Sequence, residues 1–258
     1  MIRYLFWAWY FIGALLLIVF SIPESLQFSN GLFLIFYAVY ALDLTNKGLE
    51  RPFLSDQSVI YWCGLPIWLS AIVIWTGGMG VEWLGVHSGR LFGSYEYSDI
   101  LGPLLFGVPI TLGFAWIAVV CGAVLISNDF GLTGVRLSLV RAVQTGFWSV
   151  LLDLVLDPVA HAKGFWHWGS SGGLYGVPWS NFLGWFIVSA ALSLSLQVFK
   201  ISRLSARRGT RLYQAILIMF GLIAVREGLS LCAWIAGLGA LLAEGSLYYA
   251  GSRQIKKL

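Results

Sequence analysis

The sequence LGPLLFGVPITLGFAWIAVVCGAVLIS, from Leu101 to Ser127, contains no charged residue. A helix needs about 20 mostly apolar residues to cross a bilayer, so this stretch predicts a membrane span. Its apolar residues are continuous, whereas the strands of a transmembrane β-barrel alternate apolar and polar residues. The stretch therefore favours a helical membrane protein over a barrel.

The composition of the whole chain agrees with this interpretation. The 258 residues are 59% apolar and 11% charged, with a mean hydropathy of +0.81. Soluble domains contain about 45–50% apolar and about 25% charged residues, so the composition excludes a soluble globule and a disordered chain. The net charge of +4 forms no basic stripe, and we expect no nucleic-acid partner. We predict an all-α, polytopic transmembrane helical bundle that forms a single integral membrane domain over residues 1–258.

Apolar windows along the chain predict about eight spans. They are approximately Tyr4–Ile22, Phe28–Leu42, Ser58–Val81, Leu101–Ser127, Val135–Leu156, Asn181–Phe199, Leu212–Val225 and Ser230–Ala250. The second and seventh windows are short for a span, so the count is seven to eight.

The distribution of Lys and Arg orients these spans. With eight spans and a cytoplasmic N-terminus, all of the 16 Lys and Arg residues except Arg90, Lys163 and Arg226 fall on the cytoplasmic side. Cytoplasmic loops are enriched in basic residues, so we expect both termini to be cytoplasmic. The basic run from Lys200 to Arg211 fits a cytoplasmic loop.

Two carboxyl groups interrupt the fifth span, in the sequence SVLLDLVLDP from Ser149 to Pro158. Asp153 and Asp157 are four residues apart, which places them on one helical face, one turn from each other. An ionisable residue inside a span is costly and indicates a functional site. Two carboxyls this close in a medium of low dielectric constant should not both ionise readily, which leaves a protonated acid beside an ionised base.

We therefore predict that Asp153 and Asp157 form a catalytic acid–base pair, with the deeper Asp153 as the proton donor. The structural alternative is that Asp157 caps a turn before Pro158 while Asp153 bonds a polar group on a neighbouring helix. A metal site formed by these acids with His161 and His167 is a further alternative. The chain has only three histidines, which excludes the histidine-rich di-iron centres of membrane desaturases. We expect no metal and no other cofactor.

Aromatic and amide side chains follow the two acids, near the predicted outer face. Trp166, Trp168, Trp179 and Trp185 suit an interfacial aromatic belt, a pocket for a flat conjugated ligand, or both. Asn181, just inside the sixth span, can bond a carboxylate or a water. The sequence FGVP at 106–109 also recurs as YGVP at 175–178, which is compatible with a parallel internal repeat and equally with prolines that only begin two helices.

Taken together and in order, these motifs are familiar. The first set is FGxYxY from Phe92, LGP from Leu101 and FGVP; the second is DLxLDP from Asp153, GxWxW from Gly164, YGVP and NFxGW from Asn181. Over a core of residues 92–185, the chain resembles the carotenoid biosynthesis membrane family whose characterised members are carotenoid 1,2-hydratases.

The resemblance implies that the chain adds water to the terminal C1–C2 double bond of an acyclic carotenoid end group. The implied partners are the lipid bilayer of a bacterial or archaeal cell membrane, a long apolar polyene and other enzymes of the carotenoid pathway. The alternatives are another carotenoid- or isoprenoid-modifying membrane enzyme, and a transporter or scaffold without enzymatic activity.

Hydration of an alkene requires a strong acid in a dry site and forms a tertiary carbocation, which aromatic faces stabilise. This chemistry fits the two acids and the side chains around them. We expect substrate-binding or supporting roles for Tyr95, Tyr97, Trp166, Trp168, Tyr175, Asn181 and Trp185. Further candidates are Glu96, Asp99 and His167.

Overall fold

The structure, a computed structural model, describes residues 1–20, 22–23, 26–50, 65–169, 172–196 and 200–255. Within these ranges the chain forms eight α-helices and six short strands. The helices are α1 (Ile2–Val19), α2 (Phe28–Gly48), α3 (Ile67–Ser88), α4 (Leu112–Ile126), α5 (Gly134–Ala162), α6 (Trp179–Ser193), α7 (Arg203–Arg226) and α8 (Ser230–Ile255). The strands are β1 (Leu49–Glu50), β2 (Tyr95–Tyr97), β3 (Leu104–Leu105), β4 (Val108–Pro109), β5 (Trp166–Trp168) and β6 (Lys200–Ile201).

Six of the described helices are long and apolar enough to cross a membrane, namely α1, α2, α3, α5, α7 and α8. The two others, α4 and α6, have 15 residues each. These helices confirm the predicted all-α, polytopic membrane bundle. The first part of the third predicted span, residues 58–64, lies outside the described residues.

The predicted span Leu101–Ser127 is wrong in its first part. The chain forms a 3-10 turn at Asp99–Leu101 and the β3–β4 hairpin before α4 begins at Leu112. Pro103 and Pro109 lack the N–H that a helix needs, and their rings clash with the preceding turn. The apolar character of this stretch predicted burial correctly but not its backbone.

Helix α5 continues through Pro158 to Ala162, beyond its predicted end at Leu156. A proline inside a helix leaves the carbonyl four residues earlier without its usual donor. That carbonyl belongs to Leu154, and the thiol of Cys232 on α8 approaches it at 3.4 Å. The neighbouring helix thus compensates for the proline, and the last turn of α5 keeps Asp157 on the same face as Asp153.

Helix α7 begins at Arg203, within the basic run that we expected to be a loop. Ser202 caps this helix, because its hydroxyl accepts a hydrogen bond from the amide of Ser205. At the other end of α7, the guanidinium of Arg226 lies within 3.2 Å of the carbonyls of Leu17, Ile18 and Phe20. This contact caps the C-terminus of α1, where four carbonyls have no partner within the helix.

Helix α4 is the centre of the bundle, and nearly all of its residues are buried. It packs on α2, α3, α5, α6 and α7, while α1 and α8 lie at the periphery and keep apolar faces exposed. Exposed faces rich in Leu, Phe and Trp are costly in water but suit lipid tails. The burial pattern is therefore that of a bundle surrounded by hydrocarbon.

Two short elements at one end of the bundle position the candidate site. Strands β2 and β5 pair antiparallel, with Glu96 opposite His167 at the centre of the register. Tight turns at Phe106–Gly107 and Tyr175–Gly176 have positive φ at both central residues, as in hairpins with type I′ turns. The two turns lead into α4 and α6, respectively, so the recurring motif has the same local conformation in both copies.

Candidate active site

The carboxyl group of Glu82 on α3 lies inside the bundle, and the residue is 3% exposed. The hydroxyls of Tyr95 and Tyr97 donate hydrogen bonds to its Oε2 at 2.6 and 2.7 Å. The indole Nε1 of Trp116 donates to its Oε1 at 2.9 Å. Both oxygens of this buried acid are therefore hydrogen-bonded, by donors from β2 and from α4.

Two glycines on α3 let these donors reach Glu82. Gly78 and Gly85 lie one turn before and one turn after it on the same helical face. A Cβ atom on Gly78 would lie 2.5 Å from the Trp116 ring, and one on Gly85 would lie 2.5 Å from the Tyr95 hydroxyl. The two glycines therefore allow the side chains of Trp116 and Tyr95 to approach the α3 backbone beside Glu82.

The tyrosines that bond Glu82 are held in their protonated, donating form. Burial, followed by the charges of Glu82 and Asp157, raises the pKa of Tyr95 far above its ordinary value. Burial and the Glu82 charge likewise raise the pKa of Tyr97. Because a neutral phenol is required to donate, these environments keep both hydrogen bonds to Glu82 intact at any physiological pH.

Asp153 and Asp157 are linked through one amide. The Nδ2 group of Asn181 on α6 donates to Oδ2 of Asp153 at 2.8 Å and also to Oδ2 of Asp157. The two aspartates are 0% and 3% exposed, respectively. Oδ1 of Asp153 has no partner among the described residues. The Asn181 amide uses both of its protons on these carboxyls, and it fixes their relative position.

Glu82 and Asp157 meet at a small cavity with a volume of about 20 Å³, which is room for about one water molecule. Asp157 lines it from α5 and Glu82 from α3, whereas Asp153 is not among its lining residues. The other lining residues are Phe92, Tyr95, Tyr97, Leu112, Trp166, Trp168, Asn181 and Trp185.

The aromatic walls of this cavity are packed against each other. Trp185 stacks on Trp116 with ring centroids 4.6 Å apart, and Tyr95 lies against Trp168 at 4.8 Å. Such contacts hold the ring positions firmly, because aromatic pairs at these separations are mutually stabilising. The cavity is therefore preformed and carries two acids within an aromatic enclosure.

No counter-ion accompanies these acids among the described residues. The ion pairs of the described chain, Lys47–Asp43, Lys163–Glu227 and Arg211–Glu244, all lie elsewhere. Glu82, Asp153 and Asp157 accept hydrogen bonds from the neutral side chains of tyrosine, tryptophan and asparagine. Because an unpaired buried charge is very costly, three neighbouring carboxyls without a cation do not all ionise, and some of them stay protonated. Chemically, the arrangement can supply a proton in a dry environment.

Most of the predicted site residues meet at this cavity. Around Asp157 the structure brings together Tyr95, Tyr97, Trp166, Trp168, Asn181 and Trp185, and Asn181 joins Asp153 to this group. It does not bring Tyr175 into the cavity. The Tyr175 hydroxyl instead accepts a hydrogen bond from the amide of Leu231 at the start of α8.

The three further candidates also lie outside the cavity, and all of them are exposed. Glu96 and His167 face each other across the β2–β5 pair, and Asp99 begins the 3-10 turn. The ring of His167 lies 6.1 Å from that of His161, whose Nδ1 is 3.2 Å from the Trp166 carbonyl. These histidines do not join the aspartates, and no group of three metal-ligating side chains occurs in the described part of the chain.

Glu82 is a residue of the candidate site that the sequence analysis does not include. The predicted third span ended at Val81, so Glu82 was placed in a solvated connection, but α3 continues to Ser88. An indication was present in the sequence GMGVEWLG, where an acid lies among apolar and glycine residues. Extending the helix by two turns would have buried that acid.

The two halves of the site share one arrangement. Glu82 on α3 and Asp153 on α5 precede the central residues of β2 and β5 by the same number of positions. Each strand is followed by a turn with positive φ and a helix that carries one of the stacked pair Trp116 and Trp185. The unit α3–β2–α4 is therefore repeated as α5–β5–α6, and the cavity lies where the two copies meet.

Fold and site together define a polytopic helical membrane protein with a buried, aromatic-lined carboxyl site. Residues 33–244 match the family model described as carotenoid biosynthesis protein. The match covers most of the chain, which therefore belongs to the carotenoid biosynthesis protein family.

The chain is also similar to a hydratase from an archaeon. The chain is 34% identical over 190 residues to a bisanhydrobacterioruberin hydratase of Haloarcula japonica, a match that covers 70% of this chain and 62% of that protein. The chain thus spans less than two thirds of the length of this relative. No solved structure matches the chain.

The space beside Glu82 gives a test of the site geometry. We expect Gly85→Ala to displace the Tyr95 hydroxyl from Glu82, because the added methyl would lie 2.5 Å from it. Overpacking of this kind costs about 1–3 kcal/mol of stability. The measurement is thermal unfolding of the purified protein in detergent. Gly80→Ala on the same helix is the matched control, since no atom lies within 4 Å of its added Cβ. Equal stability of the two variants would contradict the geometry.

Proposed function

We propose that the protein is a carotenoid hydratase, which adds water to the terminal C1–C2 double bond of an acyclic carotenoid end group. The observation that carries this proposal is the cavity that Asp157 and Glu82 share, which is water-sized, aromatic-walled and without a basic side chain. Membership in the carotenoid biosynthesis family and the name of the Haloarcula relative support it. The reaction needs a proton and a water molecule, and it requires no redox cofactor.

In this proposal Asp157 is the proton donor. The donor must face the substrate, and Asp157 lines the cavity whereas Asp153 does not. This assignment differs from the sequence-based prediction, which made the deeper Asp153 the proton donor. Asp153 acts through Asn181, which binds both carboxyls and orients Asp157. Transfer of the Asp157 proton to the terminal alkene carbon breaks the C=C π bond and leaves a tertiary carbocation.

Glu82 is suited to stabilise that cation without trapping it. A free carboxylate beside a carbocation can attack it and form an ester. Both oxygens of Glu82 are engaged by the donors Tyr95, Tyr97 and Trp116, which lowers their nucleophilicity. Its negative charge still acts on the cation across the cavity, where the low dielectric constant strengthens the attraction. The ring faces of the cavity add cation–π stabilisation.

A water molecule in the cavity then completes the addition. It forms the new C–O bond at the tertiary carbon and releases a proton, which returns to Asp157. The proton that left the acid is thereby restored, and the net reaction is the addition of water. Because the cavity has room for about one water, an excess of solvent does not compete for the acidic proton.

We further propose that both termini are cytoplasmic and that the site faces the outer half of the bilayer. The distribution of Lys and Arg supports this orientation. Since a long polyene stays within the bilayer, other carotenoid-pathway enzymes in the same bacterial or archaeal cell membrane would supply the substrate.

The origin of the added oxygen tests the reaction class. In membranes from a lycopene-producing host that express the chain, we expect a product heavier by one water. The new hydroxyl should carry the label from oxygen-18 water and none from oxygen-18 gas, as mass spectrometry would show. The reaction should proceed without oxygen or reductant. Label from the gas would indicate an oxygenase, and an unchanged carotenoid would favour a transporter or scaffold.

The assignment of Asp157 as the proton donor predicts that Asp157→Asn and Asp153→Asn lower the hydration rate to different extents. We expect Asp157→Asn to lower the hydration rate by roughly 10²–10⁴, the usual contribution of general acid catalysis. Asp153→Asn should lower it less, because that residue acts through Asn181. Asp43→Asn, which removes a carboxyl of the Lys47 pair on α2, is the matched control. Turnover in membranes with equal expression is the measurement, and full activity of Asp157→Asn would refute the assignment.

Accessibility of introduced cysteines tests the orientation. In a Cys63→Ser background, we expect an impermeant thiol reagent to label Gly172→Cys in intact cells. Thr133→Cys, in the connection between α4 and α5, should react only after permeabilisation. Cys121 and Cys232 are buried and should stay unlabelled. Labelling of both introduced cysteines from one side would overturn the eight-span arrangement.

A further inference from the structure

A second, larger cavity lies beside the acid site, between α1, α2, α4, α5 and α7. Its volume is about 100 Å³, and we call it the apolar groove. Along α1 its wall extends from Trp9 to Leu17, a distance of about 12 Å at the helical rise per residue. The groove is thus an elongated space that follows the helices.

The chemistry of the apolar groove favours a long hydrocarbon. Its described lining residues include no charged side chain, and aromatic rings from α1, α2 and α7, such as Trp9, Phe33 and Phe220, form much of its surface. Ser29, Asn30 and Tyr37 place a few polar groups among mostly apolar neighbours, so a charged ligand would lose its hydration there without meeting an opposite charge. The other described cavities have a different character, because Arg141 lines one and Arg207 another.

The apolar groove and the acid cavity share part of their walls. Leu112, Trp166 and Trp185 line both. On the acid side, Trp185 stacks on Trp116, the indole that bonds Glu82. The end of a molecule in the groove would therefore lie against the side chains that enclose Asp157 and Glu82.

We propose that the apolar groove holds the terminal part of an acyclic polyene and delivers its last double bond to the acid cavity between Leu112, Trp166 and Trp185. This inference rests on the proposed function and names the place where the substrate binds. A volume of about 100 Å³ spread along about two turns of α1 suits the flat chain of an acyclic polyene and excludes a bulky cyclic end group. The remainder of the polyene extends into the bilayer beside α1, which is the most peripheral of the groove helices.

Gly13 on α1 permits a direct test of the groove. It lies in the groove wall, and no atom is within 4 Å of the position that a Cβ would take. A phenylalanine there would occupy the groove without displacing the backbone. Gly237 on α8 is equally open and lies outside the groove, so Gly237→Phe is the matched control. Gly13→Ala adds only one methyl group and should keep binding.

The readout is binding of lycopene to the purified protein in nanodiscs, followed by induced circular dichroism in the visible absorption band. We expect Gly13→Phe to weaken binding by about tenfold or more and to lower turnover at limiting substrate, with Gly237→Phe and Gly13→Ala close to the unsubstituted protein. Thermal unfolding of each variant checks its fold. Asp157→Asn should bind lycopene normally, because it changes the chemistry and not the groove.

The outcomes separate the two proposals. Normal binding and turnover in Gly13→Phe would overturn the groove while leaving the hydratase proposal intact. Binding that Gly13→Phe weakens, without any hydrated product, would support the groove and overturn hydration. Neither binding nor product from the unsubstituted protein would overturn both.

Discussion

Three carboxyl groups inside a membrane-embedded bundle are the constraint on which the rest of the structure depends. Glu82, Asp153 and Asp157 are all buried, and each must find partners within the protein. An isolated buried charge costs many kcal/mol, so the positions and the protonation states of the three carboxyl groups are both restricted. The chain meets this demand with neutral donors, which hold the acids without cancelling their charge. An Arg or Lys in the same place would satisfy the acids and would also remove their capacity to transfer a proton.

The hydrogen-bond donors to these acids connect the helices that carry the site. Trp116 ties α4 to α3, and Asn181 ties α6 to α5. The β2–β5 pair then joins the two units, so that the acids of both face one cavity. The repeated unit thus places one acid-bearing helix and one tryptophan-bearing helix on each side. The acids of each unit accept hydrogen bonds from donors of the same unit, and the pairing of the two units forms the cavity that they share.

The sequence predicted much of this arrangement, and the parts it missed have physical causes. The apolar windows predicted the helical bundle, and the spacing of Asp153 and Asp157 placed them on one face, as the structure has them. The hairpin before Leu112 was missed because hydropathy reports burial and not backbone conformation. Glu82 was missed because a charged residue after an apolar run indicates the end of a span. Its burial depends on Tyr95, Tyr97 and Trp116, whose approach only the folded chain reveals.

In the proposed hydration, the hydrogen bonds that stabilise Glu82 inside the bundle also suit it to stabilise the carbocation. A carbocation demands negative charge nearby, yet it reacts with any available lone pair. Donors on both oxygens of Glu82 resolve this conflict, because they restrict the lone pairs while the charge remains. The donors themselves are held by packing, Trp116 against Trp185 and Tyr95 against Trp168, so the proposed cation would form among side chains that are already in position. Stability and chemistry therefore place the same demand on these side chains, and a substitution that weakens one should weaken the other.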